Sequence, residues 1–451
     1  MEIISNASDS VLAILKPFSI KGECSRWSQY CVLDHITDGI LVFNLLTREL
    51  IFLNKEEYER FYSLEYLKKH FFVVPQDANE KEMADFVKWV LSTRQPKSNE
   101  ITNYTIFTTT DCNARCFYCF ELGCSPISMT CETAEKVVRY IKSNCGGKKV
   151  NICWLGGEPL FNADVIDVIV DGLRKEGIAF TSKMITNGYL LDDKLIHQAV
   201  ENWNLKMVQI TLDGTEKVYN KIKAYIYKDC NPFEIVMGNI ARVLETDIRV
   251  SVRLNIDLYN AEDLLQLARE LAQRFTGKKG LSVYAHHLFK GDTPDVELHS
   301  EEEWEKRSIA MNCLNQVLEE RNLLSKIGIS KKIRLNHCMA DSGNAVTILP
   351  DGHIGLCDQQ AKSEFIGHLD RKDYDDSAVR SWKERMPEIP ECSKCFYYVD
   401  CIKLKKCATN SICYELSRQD KLIKTKRTMR CEYERWLTKI NFDEDVDNAF
   451  C

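Results

Sequence analysis

Hydrophobic and polar positions alternate in a regular way between residue 103 and about residue 325. Short apolar runs there are separated by longer stretches whose apolar residues recur at helical spacing. YTIFTTT (104–110), KVNICWL (149–155), AFTSKMIT (179–186), KMVQITL (206–212), RVSVRLNI (249–256) and LSVYAHHLF (281–289) read as strands. Between them CETAEKVVRYIKSN, ADVIDVIVDGLRKE, DKLIHQAVENW and AEDLLQLARELAQRF read as amphipathic helices. Strand–helix units in series predict a parallel sheet, because each crossover must pass through a helix. The sheet either curves into a partial barrel or stays open and doubly wound. In both cases ligands gather at the C-terminal ends of the strands.

The flanks differ. Residues 1–97 mix short β-rich runs (YCVLDH, GILVFNL) with the helical stretches EEYERFYSLEYLKKHFFVV and EKEMADFVKWVLS. This mixture suits a winged-helix-like module or a structural cap on the next domain. The polar, Pro-containing RQPKSNE (94–100) reads as the linker. After a long acidic helix (SEEEWEKRSIAMNCLNQVLEERNLL) the periodicity weakens, and AVTILPDGHIGLC reads as a hairpin turning at Pro-Asp-Gly. A loop-rich region of this kind needs covalent or metal staples, so residues 330–451 are expected to form a separate small domain.

Composition narrows the function classes. The chain has 451 residues, 45% of them hydrophobic and 28% charged, with no low-complexity tract. Its net charge of −6 offers no general attraction to nucleic acid or anionic membrane. The first residues lack a signal peptide's basic start and cleavage site, and no stretch has the roughly 18 apolar residues of a membrane helix. A cytoplasmic protein is expected. In reducing cytosol 20 cysteines do not serve as structural disulfides, so they point to metal ligation or redox chemistry. Cys24, Cys31, Cys124, Cys131, Cys145, Cys153, Cys230, Cys313 and Cys451 are scattered and read as small buried hydrophobes or idle thiols.

Cys112-Asn-Ala-Arg-Cys116-Phe-Tyr-Cys119 is different, because it follows the first candidate barrel strand. Three thiolates in a C-x3-C-x2-C loop suit three irons of a cubane cluster and leave the fourth iron open for chemistry. By residue type alone, zinc or idle thiols are the alternative, although no His lies nearby. At this point the chain resembles the radical SAM (S-adenosylmethionine) superfamily over about residues 100–330. Gly156-Gly157-Glu158-Pro159, ending the second strand, is similar to the family's GGEP motif, whose backbone meets the SAM amino group. Glycines there let the chain approach a ligand closely. Tyr118 takes the aromatic place that flanks the adenine. Thr186-Asn187-Gly188 and Thr211-Leu212-Asp213-Gly214 end the third and fourth strands. The resemblance assigns the SAM carboxylate to Thr211 and Lys223. Relatives often have His-Asp-x-x-Arg where this chain has Tyr219-Asn220-x-x-Lys223, and a Lys keeps the charge but loses the planar fork. Ser251, Arg253 and Asn255 alternate toward one face of the fifth strand, lining the pocket or a solvated face.

The second cysteine set resembles the SPASM domain, a C-terminal extension with two auxiliary [4Fe–4S] clusters. Cys338, Gly352 and Cys357 match its opening pattern, and Cys392, Cys395 and Cys401 match its C-x2-C-x5-C run. The resemblance gives Cys392, Cys395, Cys401 and Cys431 to one cluster. It gives Cys338, Cys357 and a penultimate cysteine to the other. Cys407 is favoured for that place, with Cys413 idle or completing the set; both are spaced farther along than the family usually has them. A zinc ribbon is the alternative. Asp358 follows Cys357 at a place where anaerobic sulfatase-maturing relatives have an aspartate that acts as a base on the substrate.

The expected fold is therefore α/β: a partial (β/α)6 TIM-type barrel at 98–329, with a winged-helix-like N-terminal module at 1–97 and a Cys-rich domain at 330–451. The resemblance implies that SAM is cleaved at the first of three [4Fe–4S] clusters and that a 5′-deoxyadenosyl radical abstracts hydrogen. The leading expectation is a maturase of a ribosomally made precursor peptide, forming a thioether or C–C cross-link. Its electrons would come from a donor such as a ferredoxin or flavodoxin, and the N-terminal module would bind a leader peptide. A sulfatase-type maturase making formylglycine is the second reading. A non-catalytic Fe–S or zinc scaffold that binds a peptide is the third.

Overall fold

The computed structural model describes residues 1–18, 26–95, 100–288, 301–324, 328–335, 338–359, 365–371, 374–401, 405–407 and 415–448. Much of the expected linker (96–99), the end of the sixth strand run (289), and Cys24, Cys413 and Cys451 lie outside these residues.

The central sheet holds six parallel strands in sequence order: β7 (Asn103–Phe107), β8 (Val150–Leu155), β9 (Phe180–Thr186), β10 (Leu205–Leu212), β11 (Arg249–Ile256) and β12 (Leu281–His287). Their Val- and Ile-rich outer positions pack under helices Cys131–Asn144, Asp164–Lys175, Asp193–Glu201, Pro232–Val243 and Ala261–Arg274. Each of these helices buries one apolar stripe, such as Val165, Ile166, Ile169, Val170 and Leu173. Thr130 caps the first helix and Asp192 the third, each accepting a backbone N–H in the first turn. The inner positions mix an apolar patch (Phe107, Leu155, Ile185) with polar groups: Asn103–Asn151–Thr181 run as a hydrogen-bonded row, and Gln209, Ser251, Arg253 and Tyr284 line the later strands. No pairing joins β12 to β7 among the described residues, so the barrel is partial and open.

The region expected to begin a separate domain instead continues this sheet. β13 (Ala345–Ile348) pairs parallel with β7, and β14 (His353–Gly355) and β15 (Gly367–His368) follow antiparallel, making nine strands in all. The Pro-Asp-Gly turn closes on Gly352 at φ +93°, a left-handed conformation that favours glycine. A further element, not expected, is the helix Glu415–Asn448.

At the N-terminus β1 (Glu2–Ser5), β3 (Cys31–Ile36), β4 (Gly39–Asn44) and β5 (Glu49–Leu53) form an antiparallel sheet in the order β1-β5-β4-β3. A small pair, β2 (Arg26–Trp27) with β6 (Val73–Val74), and the helix Glu80–Arg94 complete the unit. Its core is shared with the C-terminal region, because Val11, Leu41, Phe43, Met83 and Val87 pack with Tyr398, Val399 and Met429. Arg48 is buried against Asp400, and Arg430 of the last helix pairs with the buried Asp34. No helix among the described residues is long and apolar enough to cross a membrane.

Candidate active site

The loops after β7, β8, β9 and β10 converge at the C-terminal mouth of the barrel, and backbone contacts tie them together. Gly157 N donates to Thr109 O (3.0 Å) and Glu158 N to Asp111 O (2.9 Å), which pins the second loop to the first. A Cβ on Gly156 would stand 2.2 Å from Thr109 O, and one on Gly157 2.3 Å from Asp111 O. These glycines are thus required by the approach of one loop to another. That is a different reason from the close approach to a ligand expected from sequence.

Glu158 also differs from its expected place at the cofactor. Its side chain is fully buried, outside the residues that line the cavity, and accepts from Thr186 Oγ1 (2.6 Å), Asn187 N (2.8 Å) and Leu160 N (3.2 Å). It locks the loop after β8 to the loop after β9. Burial pushes its carboxyl up to about 7, against the pull of these three donors.

Cys112, Cys116 and Cys119 line a cavity of about 440 Å³ together with Tyr118, Gly156, Gly157, Asn187, Thr211, Lys223, Arg253 and Asn255. Asp358 and Gln359, from the C-terminal region, line the same cavity. Of the other residues assigned to SAM, Ser251 sits one pleat deeper, opposite Gln209 and Ser282. Arg253 donates through Nε to Asn255 Oδ1 (2.9 Å), and its Nη2 meets His286 Nδ1 at 3.1 Å.

The three thiols suit a cluster. Cys112 is pushed up to about 12 by burial and by Glu158, and Cys119 up to about 11 by burial. Such thiols become thiolates when a cation takes the proton's place. Ala114 N (3.3 Å) and Asn187 Nδ2 (3.8 Å) donate to Cys112 Sγ, and second-sphere donors of this kind stabilise a ligating sulfur. Asn113, fully buried, has an Nδ2 without a partner beside them. Among the described residues no three His, Cys, Asp or Glu side chains stand at the spacing of one coordinated ion.

The cationic partner expected for the SAM carboxylate is already engaged. Lys223 Nζ lies 3.0 Å from Asp213 Oδ2 and donates to Tyr118 OH (3.0 Å); Tyr118 OH donates to Asp213 Oδ2 (2.7 Å) and Asn255 Nδ2 to Asp213 Oδ1 (3.1 Å). Burial pulls the ammonium down, but Asp213 and then Tyr118 outweigh it and hold Lys223 well above its ordinary range. Asp213 appeared in the sequence only as part of a strand-end motif; its role as counter-ion depends on a partner ten residues on, folded back over the barrel mouth.

In the C-terminal region Cys338, Cys357 and Cys407 are brought close enough for each of the first two to feel the charge of the third, and burial pushes Cys357 up to about 12. Asp358 is raised by burial, partly offset by backbone donors and by Lys183 of β9. Cys392 lies in the 3-10 turn Pro390–Lys394, Cys395 directly follows it and Cys401 directly follows the next turn, Tyr398–Asp400, with Cys392 and Cys395 packed on the N-terminal core. Met429 and Tyr433 face that core, and Cys431, two residues from each, sits about 200° around the helix from Met429, where Glu319 and Glu434 add to burial in raising its thiol.

Residues 106–271 match the radical SAM superfamily. The chain carries a radical SAM domain over these residues. The superfamily implies SAM and one [4Fe–4S] cluster. In sequence the chain is similar to the GTP 3′,8-cyclase of Clostridium perfringens (strain 13 / Type A), 26% identical over 271 residues that cover 57% of this chain and 80% of that protein. In fold it is similar to anSMEcpe solved with bound AdoMet and the Cp18Cys peptide (TM-score 0.53, 16% identity, 76% of this chain and 99% of that one). It also aligns with Streptococcus suis SuiB bound to S-adenosylmethionine (TM-score 0.49, 13% identity, 82% and 92%).

Proposed function

We propose that the chain is a radical SAM maturase of a peptide, in which the C-terminal cysteine region completes the substrate cavity. The observation that carries this reading is the cavity wall: Asp358 and Gln359, directly after Cys357, face Cys112, Cys116 and Cys119 across one space. The peptide bound in anSMEcpe, whose fold this chain shares, is in keeping with it.

When bound, SAM and the cluster supply hydrogen-atom abstraction from an unactivated C–H bond. The chain's own residues do the rest. Cys112, Cys116 and Cys119 would hold the cluster. Tyr118, Asn187, Thr211, Lys223, Arg253 and Asn255 bound the space left for SAM, and the Glu158 lock keeps two of its loops in place. Asp358, raised by burial, accepts a proton from the oxidised substrate more readily than an exposed aspartate does. Cys338, Cys357 and Cys407 form one auxiliary cluster site and Cys392, Cys395 and Cys401 another. A ferredoxin- or flavodoxin-type protein supplies the electron, and the reaction takes place in the cytoplasm.

The sequence likeness to GTP 3′,8-cyclase supports a second reading, with GTP as the substrate. One experiment separates them. The anaerobically reconstituted, reduced protein is given SAM, and 5′-deoxyadenosine release is followed with GTP or with short Cys-containing peptides encoded beside its gene. Faster release with a peptide, accompanied by a peptide mass change, supports the maturase; acceleration by GTP alone overturns it.

A further inference from the structure

Asp213 is completely buried at the end of β10, and every one of its carboxylate contacts is made inside the protein: Asn255 on Oδ1, and Tyr118 and Lys223 on Oδ2. Its backbone carbonyl accepts from Asn260 Nδ2 (2.9 Å), which ties it also to the loop after β11. Lys223, 4% exposed, ends the helix Glu216–Lys223, where Ala224 turns left-handed at φ 45°. Its backbone oxygen accepts from Arg115 N (2.8 Å), which fixes the Lys223 backbone to the loop between Cys112 and Cys116. Tyr118, two residues from Cys116, links the two charges through its hydroxyl. At Cys116 the Lys223 and Asp213 charges are felt with opposite sign.

A buried ion pair next to a cluster ligand acts on the cluster as well as on the fold. Reduction adds negative charge, so a nearby cation favours the reduced state and a nearby anion opposes it. Both charges lie in a water-poor site, where their fields are weakly screened. We propose that Asp213 is a positioning residue that holds and neutralises the Lys223 ammonium beside Cys116, and so sets the reduction potential of the cluster on Cys112, Cys116 and Cys119. This rests on the radical SAM reading of those cysteines. It differs from a role in binding SAM, because it operates before any ligand enters.

The test is an anaerobic redox titration of the reconstituted full chain without SAM, read by EPR. The relevant signal is the one absent from a Cys112→Ala/Cys116→Ala/Cys119→Ala chain. Asp213→Asn removes a negative charge and is expected to shift the midpoint upward. Lys223→Met removes the positive charge and shifts it downward, and the double variant lies between the two. Asp213→Glu and Lys223→Arg keep the charges and stay near the parent value, which provides a reading should a charge-removing variant fail to fold. A purely structural role would lower iron content without shifts of opposite sign. Same-direction shifts or unmoved midpoints overturn the proposal while leaving the cluster assignment intact. Failure of the parent chain to assemble any cluster on these cysteines overturns the radical SAM reading itself.

Discussion

Glu158 offers a sharp test of how the loop mouth is held, because its carboxylate is both the hub of three hydrogen bonds and a poorly solvated charge. Its folded value of about 7 stands against an ordinary 4.5. The folded chain therefore holds more protons than the unfolded chain between these values, and stability falls as pH rises through that window. The difference between the two values corresponds to about 3 kcal/mol, lost between pH 4.5 and 7 and constant above. Glu158→Gln keeps the shape and one oxygen, which best serves Thr186 and Leu160, but it turns an amide toward Asn187 N–H. That leaves unsatisfied donors at a cost of about 2 kcal/mol, and the variant has no titrating charge. The destabilisation by Glu158→Gln should thus be largest near pH 5, where the parent carboxyl is neutral, and should shrink or reverse at pH 8. Glu158→Ala orphans all three donors and should cost about 3–6 kcal/mol near pH 5 and about 3 kcal/mol less at pH 8, because it too lacks the titrating group. Denaturant unfolding of the metal-free chain at pH 5 and pH 8, taken as the difference between variant and parent, isolates this group from the other titrating residues. A Glu158→Gln difference that is independent of pH, or larger at pH 8, would refute the account.

Three further outcomes follow from particular contacts. Gly156→Ala, at φ +141° and with its new methyl against Thr109 O, should cost about 3 kcal/mol or more in thermal unfolding and weaken SAM binding measured by calorimetry. Asp400→Asn leaves Arg48 buried without its carboxylate and should destabilise the chain by about 3–5 kcal/mol, much of it recovered in the Arg48→Met/Asp400→Leu pair. Cys431→Ala should leave the iron content of the reconstituted protein unchanged, whereas Cys401→Ala lowers it, as counted by iron assay; equal losses would place Cys431 with the second set.

Local pattern carried the barrel strands well. Five of the six differ from their sequence bounds by at most three residues at an end, and Arg249–Ile256 coincides with its run, because alternation and flanking helices are local signals. What pattern alone did not reveal is non-local. Nothing in Ala345–Ile348 announces a parallel partner more than two hundred residues earlier, so the start of the C-terminal region was not legible as an extension of the barrel sheet. Among the described side chains of the helix Glu415–Asn448 most are polar and Met429 is the one fully buried apolar residue, so its periodicity is faint. At the site, the cysteine loop and the strand-end motifs were legible as motifs, but the duties of their residues were not. Glu158 turns inward, and Asp213 claims Lys223. Each of these depends on an orientation that spacing along the chain does not encode.

The same non-local contacts bear on the N-terminal unit. A module that only captured a peptide would need no more than a tether, yet this one is fastened to the second cysteine loop at several points. Besides Arg48–Asp400, Lys88 Nζ donates to Tyr398 O (2.6 Å), Tyr398 OH donates to Asp85 Oδ1 (2.6 Å) and Gln29 Nε2 donates to Ser393 O (3.1 Å). Burial pulls the Lys88 ammonium down, while the nearby charges of Cys401 and Asp85 act in its favour. Broken singly, a buried charge of this kind is costly, so the unit and the loop order one another. It follows that the 3-10 turns at Cys392, Cys395 and Cys401, too short to fold alone, take their shape from the wall formed by Glu80–Arg94 and β3–β5. A peptide strand added to an edge of this sheet would then meet a fixed platform, and its reach to the cavity would depend on its own length.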